Sequence, residues 1–198
     1  MKTKFCIFLF LLCSIAWSES IGHAIISRSY EDSAKYINFV DTSMTFNTSG
    51  KIYSWSIYGT RTGPLFLQVY RKVSGNIYSL VGENAVTTNG TGSQSFSIDY
   101  ANQIQFQAGD FLGWRFTVTT SHPTVGGVIS WGYPGSQESG GVRWVYSDQG
   151  ITDGEALDFS SADNRTYSIQ ANFSNTVPEP SGIFIFLVAF VFLYKRCQ

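Results

Sequence analysis

Cysteine and histidine are almost missing from the central part of this chain. The three cysteines lie only in the terminal segments, at Cys6, Cys13 and Cys197. The two histidines are His23, close to the N-terminal apolar segment, and His122, which precedes a proline in a Ser/Thr-rich stretch. Residues 25–176 therefore cannot be held together by disulfides and must be stabilised by a core. A zinc site, or a Ser-His-Asp or Cys-His catalytic device, has too few candidate residues to be expected.

Charge is also scarce. Charged residues make up 14% of the chain, and residues 25–176 contain nine basic and twelve acidic side chains, a net charge of −3. This balance implies no basic surface, so we do not expect nucleic acid as a partner. We also expect no cofactor.

Carboxylates are the one catalytic class that the composition leaves open. Glu83, Glu138 and Glu155 could supply a pair for glycoside hydrolysis. Such a pair could be drawn from any acidic sequence, however. The pattern therefore favours a non-enzymatic protein, with a secreted carbohydrate-active enzyme as the alternative.

Helical periodicity is absent between residues 25 and 176, where apolar residues instead alternate with Ser, Thr, Asn and Gln. The clearest alternating runs are Tyr53/Trp55/Ile57, Leu65/Leu67/Val69, Phe96/Ile98/Tyr100, Leu112/Trp114/Phe116/Val118, Val142/Trp144/Tyr146 and Tyr167/Ile169/Ala171/Phe173. Glycine-rich turn signals separate these runs, among them Thr62-Gly63-Pro64, Asn89-Gly90-Thr91-Gly92 and Ser74-Gly75-Asn76, the last of which predicts a hairpin. About eight to ten short strands at this spacing predict an all-β fold, an antiparallel β-sandwich of jelly-roll type, in preference to a barrel.

The first 24 residues have the layout of a secretory signal peptide. Lys2 and Lys4 precede an apolar segment, residues 5–17, and small residues follow it. Cleavage could follow Ser18, Ser20 or Ala24, and the sequence does not choose between them. An N-terminal transmembrane anchor is the alternative, but the apolar segment is short for a span.

The last 22 residues form a tail of three parts: a Val177-Pro178-Glu179-Pro180 box, an apolar run over residues 183–194, and Lys195-Arg196 near the end. The two prolines predict an extended hinge, after which a helix can begin. The apolar run has no polar face, which predicts a short transmembrane helix. At about 1.5 Å per residue it covers about 18 Å of a hydrocarbon layer of about 30 Å, so it would be a weak anchor. Lys195 and Arg196 predict a cytoplasmic C-terminus.

This tail resembles the PEP-CTERM sorting signal of bacterial exported proteins, which consists of a Pro-Glu-Pro box, a short hydrophobic helix and a basic end. The matching residues are Pro178, Glu179 and Pro180, then residues 183–194, then Lys195 and Arg196. The basic end is shorter than the family's usual Arg-rich cluster. The resemblance implies recognition by an exosortase, a membrane-embedded processing enzyme, and delivery to the cell surface or the exopolysaccharide matrix.

A GPI attachment signal is the rival interpretation of the tail. Small residues near Ser174 and Asn175 precede the hydrophobic end, and the chain contains four Asn-x-Ser/Thr triplets. A removed GPI tail normally ends in its hydrophobic segment, whereas this chain continues into Lys195 and Arg196. About two such triplets are expected by chance in a chain so rich in Asn, Ser and Thr, so the PEP-CTERM interpretation is favoured.

Two groups of residues could bind a ligand. Trp131, Tyr133 and Gln137 lie in a segment with the composition of a sugar-binding surface, where exposed rings stand beside polar side chains. The competing interpretation is that rings outside the buried alternation only cover a second sheet. A weak set of calcium ligands comprises Asp148, Asp153, Glu155 and Asp158. Their spacing does not fit an EF-hand, so a solvated acidic loop is favoured.

These observations predict three parts: a signal peptide at 1–24, a β-sandwich domain at 25–176 and a sorting or anchoring segment at 177–198. The domain resembles extracellular lectin-type sandwich modules only in general pattern. The function expected is that of an exported, surface-targeted, non-enzymatic protein that is adhesive or associated with a polysaccharide matrix.

Overall fold

The computed structural model describes residues 18–118, 126–135, 140–147 and 150–175. Within these ranges the chain is all-β, every strand pairing is antiparallel, and the only helical element is a 3-10 turn at Tyr100–Asn102. The predicted all-β antiparallel class is thereby confirmed. The strands are β1 (Ser18–Gly22), β2 (Ile37–Asp41), β3 (Gly50–Ser74), β4 (Ile77–Ser97), β5 (Gln105–Phe106), β6 (Phe111–Phe116), β7 (Trp131–Gly132), β8 (Val142–Tyr146), β9 (Ala156–Asp158), β10 (Ser161–Asp163), β11 (Thr166–Tyr167) and β12 (Ile169–Asn175).

The long strand β3 connects two parts of the larger sheet. Along one edge, its first half pairs with β12 and its second half pairs with β6. The sheet continues from β12 to β1 on one side, and from β6 through β2 and β8 to β10 on the other. Strand β4 follows the opposite edge of β3 from Ser54 to Ser74. β7 and β11 form a separate two-stranded sheet.

The β3–β4 ladder passes through two segments that the sequence predicts to be turns, Thr62-Gly63-Pro64 and Asn89-Gly90-Thr91-Gly92. Thr62-Gly63-Pro64 lies opposite Thr87-Thr88-Asn89. The buried Thr88 hydroxyl accepts a hydrogen bond from the Gly63 N–H at 2.9 Å and lies 2.6 Å from the Arg61 carbonyl. The backbone N–H and C=O groups that a turn would leave without partners are thus hydrogen-bonded across the ladder. The predicted hairpin turn at Ser74-Gly75-Asn76 is confirmed, and Gly75 has the positive φ of 48° that the tight connection requires.

Both parts of the larger sheet contribute to one buried core. Leu65, Leu67 and Val69 on β3, and Leu112, Trp114 and Phe116 on β6, lie in the same cluster as Ile169, Ala171 and Phe173 on β12. In these three strands the sequence alternation correctly predicts the buried face.

Three predicted inward-facing rings are not in the core. Tyr53 is half-buried because the ladder between β12 and β3 has an irregularity at this point, which shifts Tyr53 away from the face of Trp55. Tyr100 is 77% exposed because β4 ends at Ser97 and the chain enters a 3-10 turn. Tyr146, at the end of β8, is exposed as well.

A second cluster covers the outer face of β3, β4 and β2. Tyr70, Tyr78 and Val40 pack there against Ile151 and Phe159. The chain around the acidic residues 153–158 therefore carries apolar side chains that cover this face. Gly113 on β6 leaves space for this second cluster, because a Cβ atom there would meet the Tyr70 ring at 2.5 Å.

The larger sheet extends to the N-terminal side of Ile25, where the sequence predicts the domain to begin. β1 pairs along its whole length with Gln170 to Ser174 of β12, and Ile21 packs on the main core. His23 follows in a buried position, with Nε2 2.8 Å from an Asp41 carboxylate oxygen. The predicted sorting segment at 177–198 and the apolar part of the predicted signal peptide lie outside the described residues. In the part of the chain that the structure describes, no helix has the length and apolar character needed to cross a membrane.

Candidate functional site

Three backbone segments from distant parts of the chain meet at one surface. Tyr30 forms a β-bridge with Trp131, with hydrogen bonds of 3.0 and 3.1 Å in the two directions. Trp131, in β7, also pairs with Tyr167 of β11. Directly opposed residues of antiparallel strands place their side chains on the same face, and so do residues two apart in one strand. Tyr133 and Arg165 therefore come to the same face as the three paired rings.

The aromatic patch consists of Tyr30, Trp131 and Tyr133. The Tyr30 and Trp131 rings are stacked with their centroids 4.7 Å apart, and Tyr133 meets each of them edge-on at 5.8 Å. Tyr30 is 45% exposed and Tyr133 63% exposed, whereas Trp131 is half-buried. The two tyrosines thus present ring surface to solvent, and Trp131 supports them from below.

A charged group holds the patch in place. The Arg165 guanidinium lies 4.2 Å from the centroid of the Trp131 ring, and Arg165 also pairs with Asp163 at 2.7 Å. Burial opposes the charge on Arg165, but the hydrogen bond with Tyr167 and two nearby carboxylates outweigh it and raise the Arg165 pKa. The cation therefore persists over the accessible pH range.

The buried Tyr167 side chain, which lies beneath the patch, completes this support. The Tyr167 hydroxyl donates a hydrogen bond to the Asp32 carboxylate. Burial, and then the neighbouring Asp32 charge, raise the pKa of Tyr167 well above its ordinary value, so the phenol keeps its proton. The Tyr167 ring is stacked with Trp131 at 6.2 Å. The exposed tyrosines consequently rest on Trp131, which in turn rests on the hydrogen-bonded Tyr167.

The predicted ligand-binding residues have different positions in this arrangement. Tyr133 is the exposed residue of the group, and Trp131 is largely covered by Tyr30 and Arg165. Gln137 lies outside the described residues. Sequence reasoning missed Tyr30, because the residues around it have no strand alternation and its contact partner is about 100 positions further along the chain.

An open groove of about 890 Å³ lies elsewhere, along the outer edge of β4 and the segment after it. Its lining is largely polar and includes Glu83, Asn84 and Asp99. Glu83 is one of the carboxylates that could serve a glycosidase, and it accepts a hydrogen bond from Gln68 at 3.0 Å. Glu155, another candidate, accepts a hydrogen bond from the Thr152 N–H at 3.0 Å. Both carboxylates thus have structural partners, while Glu138 lies outside the described residues.

His23, Asp41 and Ser43 form a cluster whose residue types match a hydrolase triad, although its geometry does not. The Asp41 carboxylate and the Ser43 hydroxyl both lie nearest to Nε2 of His23, at 2.8 and 3.5 Å. A catalytic triad instead uses the two opposite ring nitrogens for the acid and the nucleophile. The Ser43 hydroxyl also donates to Asp41. The cluster therefore ties the segment after β1 to the end of β2.

We expect Asp41→Ala to lower the free energy of unfolding by roughly 2 to 4 kcal/mol, because the partners of its buried carboxylate would lose their acceptor. These are His23 and the Ser43 N–H, the latter at 2.9 Å. Urea titration measures the change. Glu31→Ala is the matched control: it removes an exposed ion pair with Arg61 and should cost less than about 1 kcal/mol. Equal losses for the two variants would contradict the structural role of Asp41.

The acidic residues that the sequence offers as weak candidates for calcium ligands lie in different structural environments. Asp158 belongs to β9 and lies opposite Ile77. Glu155 caps the turn at Thr152, and Asp153 is exposed. Within the described ranges, no group of three or more His, Cys, Asp or Glu side chains could hold a metal ion. Asp148 lies outside them.

Because Glu155 is bonded to the Thr152 turn and Asp158 belongs to β9, we expect millimolar calcium to leave the melting temperature unchanged, both in the wild-type protein and in Asp153→Asn. A ligand that binds only the folded state raises the melting temperature, so thermal unfolding with calcium or with a chelator checks this directly. A rise of several degrees in the wild type that disappears in Asp153→Asn would overturn the prediction.

Comparison of the chain with protein-family models, with curated proteins and with solved structures gives no match. The described residues define an antiparallel all-β protein with an exposed aromatic patch on a hydrogen-bonded base.

Proposed function

We propose that this chain is an exported, surface-targeted, non-enzymatic protein whose domain binds polysaccharide through the aromatic patch. The observation that carries the proposal is the exposure of Tyr30 and Tyr133, 45% and 63%, on a hydrogen-bonded support. A cluster of neighbouring exposed rings, unlike a single exposed ring, is a common feature of binding surfaces. The C–H-rich face of a sugar ring packs well on an aromatic ring, and its hydroxyls can bond to polar groups around the edge.

The polar groups beside the patch suit a sugar. Asp163, which pairs with Arg165 beside the Trp131 ring, is half-exposed and can accept hydrogen bonds. The Asp163 carboxylate can accept hydrogen bonds, and the exposed Tyr30 and Tyr133 can donate or accept through their hydroxyls, as hydroxyl recognition requires. The mixture of charges favours a neutral or weakly acidic polysaccharide.

For the fold we propose a β-sandwich of jelly-roll type. The support is that the two parts of the sheet joined by β3 contribute side chains to one core cluster. In a sandwich the inner faces of two layers interdigitate in this way, while ligands commonly bind on loops and edges. The aromatic patch, built on the short β7–β11 sheet, would occupy such a peripheral position.

The test of binding is co-sedimentation of the purified protein with a panel of insoluble polysaccharides, combined with measurement of reducing ends in the same samples. We expect retention on one or a few polysaccharides and no release of reducing ends. Failure to bind any polysaccharide of the panel would contradict the proposal.

The enzyme alternative makes the opposite prediction in the same assay. A secreted carbohydrate-active enzyme would release reducing ends, and Glu83→Gln in the groove would abolish the release while leaving the patch intact. Release that depends on Glu83 would therefore replace the proposed binding function with a hydrolytic one.

We also propose that the tail directs sorting, with an exosortase-like enzyme and the membrane as transient partners. The support is positional: β12 ends at Asn175, immediately before the box that begins at Val177. A processing enzyme at the membrane surface could reach an extended Pro-Glu-Pro segment placed directly after the folded domain. The localisation that follows is the cell surface or the extracellular matrix.

We expect the mature surface form in the native host to end within residues 177–180. Replacing Glu179 and Pro180 with alanine should leave a longer species in the membrane. Mass spectrometry of the C-terminal peptide decides the question. An intact peptide through Gln198 in the mature surface protein would mean that the tail is a permanent anchor.

The GPI alternative predicts a glycolipid on Ser174 or Asn175. Both residues pair with β3 in the sheet, and the Asn175 side chain donates to Glu19 at 2.7 Å and accepts from Thr48 at 2.9 Å. Attachment there would disturb these contacts, which favours processing further along the chain. Detection of the glycolipid by the same mass spectrometry would nevertheless establish this alternative.

A further inference from the structure

We infer that the signal peptide is cleaved between Ser18 and Glu19, so that the mature chain begins with the second residue of β1. The inference rests on the proposed export of the protein. By sequence alone, all three candidate bonds satisfy the small-residue rule for signal cleavage. Ala16 and Ser18 precede the first bond, Ser18 and Ser20 the second, and Gly22 and Ala24 the third. The structure separates the three candidates by what each would remove.

Cleavage after Ala24 would remove a strand and a buried contact. All five residues of β1 pair with β12, and Ile21 packs on the main core. Without β1, β12 would become an unpaired sheet edge. The loss of His23 would also leave the Asp41 carboxylate, which is 1% exposed, without its ring partner. The folded domain therefore requires residues on the N-terminal side of this bond.

Cleavage after Ser20 would divide β1. It would remove Glu19, whose carboxylate accepts a hydrogen bond from the Asn175 side chain at 2.7 Å. It would also remove the pairing of Glu19 and Ser20 with Phe173 and Asn172. Only Ile21 and Gly22 would remain to cover the edge of β12, which is too short a strand to protect it.

Cleavage after Ser18 preserves nearly all of these contacts. The residue lost, Ser18, is exposed, ends the ladder opposite Ser174 and makes one exposed hydrogen bond, with the Tyr53 hydroxyl. Glu19 keeps its backbone partner and its hydrogen bond to Asn175. The reaction is hydrolysis by a membrane-bound signal peptidase: water adds across the Ser18–Glu19 peptide bond, leaving a carboxylate on Ser18 and a free amine on Glu19. It takes place on the translocating chain, before β1 joins the sheet.

The test is expression of the full-length chain in a secretion-competent bacterial host, followed by mass spectrometry of the N-terminal peptide from the exported fraction. We expect an N-terminus at Glu19. An N-terminus at Ile21 or Ile25 would overturn the inference while leaving the proposed export intact. An uncleaved chain found only in the cytoplasm would contradict both.

Two variants make the test independent of how well the domain folds. Ser18→Leu places a bulky residue immediately before the proposed bond, and we expect the precursor to accumulate with loss of the Glu19 product. Ser20→Leu is the matched control, since Ser20 is also exposed in β1 but lies after the bond. It should be processed at Glu19 like the wild type. If Ser18→Leu and the wild type are both cleaved efficiently at the same bond further along the chain, the assignment is refuted.

Discussion

Replacing Trp114 with alanine is expected to lower the free energy of unfolding by about 3 to 5 kcal/mol. The Trp114 side chain is fully buried in β6, stacked on Phe39 with ring centroids 5.4 Å apart and tilted against Tyr167 at 4.7 Å. Both neighbours are fixed in strands, so the surrounding structure cannot collapse into the space left behind. The indole N–H has no partner among the described residues, so the loss is one of packing.

For a domain of this size, the expected loss corresponds to a fall in melting temperature of roughly 6 to 20 °C. Tyr100→Ala is the aromatic control, because its ring is 77% exposed and contacts only the Lys51 ammonium among the ring and cation–π contacts of the described residues. It should change the melting temperature by no more than a degree or two. If Trp114→Ala melts as close to the wild type as this control does, the assignment of the buried face is wrong.

Replacing Trp114 with alanine should also weaken the support of the aromatic patch. The ring of Tyr167 lies between Trp114 and Trp131, at centroid distances of 4.7 and 6.2 Å. Removing the support on the core side would loosen the phenol that bonds Asp32. Binding should consequently weaken in Trp114→Ala even at temperatures where the variant remains folded.

The strands with regular alternation could be predicted from the sequence because burial of one face dictates their residue pattern. This holds for Leu65/Leu67/Val69 and for Leu112/Trp114/Phe116. The continuity of β3 and β4 could not be predicted, since Gly63 and Pro64 signal a turn when read locally. Only the facing segment around Thr88, which supplies the missing hydrogen bonds, keeps them in the ladder.

Features that depend on contacts between residues far apart in the chain could not be predicted from the local sequence either. β1 has no apolar alternation of its own and forms because β12 offers an edge. Ile151 and Phe159 lie among acidic residues that suggest a solvated loop, yet they cover the outer face of the sheet. Of the candidate site, the sequence predicted Trp131 and Tyr133. Their partner Tyr30 depends on a bridge that only the fold creates.

The second large effect is expected at the patch itself. If a sugar stacks on Tyr30 and Tyr133, replacing both with alanine removes the principal contact surface and should raise the Kd for the bound polysaccharide at least about 30-fold. Tyr133→Phe keeps the ring and loses only the hydroxyl, so it should bind within a few-fold of the wild type. This comparison separates ring stacking from hydrogen bonding by the phenol.

The most direct measurement of the central claim is therefore the affinity of the Tyr30→Ala/Tyr133→Ala protein for an oligosaccharide cut from the polysaccharide that the wild type retains. Isothermal titration calorimetry should be run on the double variant and on the Tyr100→Ala control, after thermal unfolding has shown that both variants are folded. The account predicts near-complete loss of binding in the double variant and wild-type affinity in the control. Unchanged affinity in a folded double variant would contradict it, and the ligand would then have to bind elsewhere, with the groove along β4 as the next site to test.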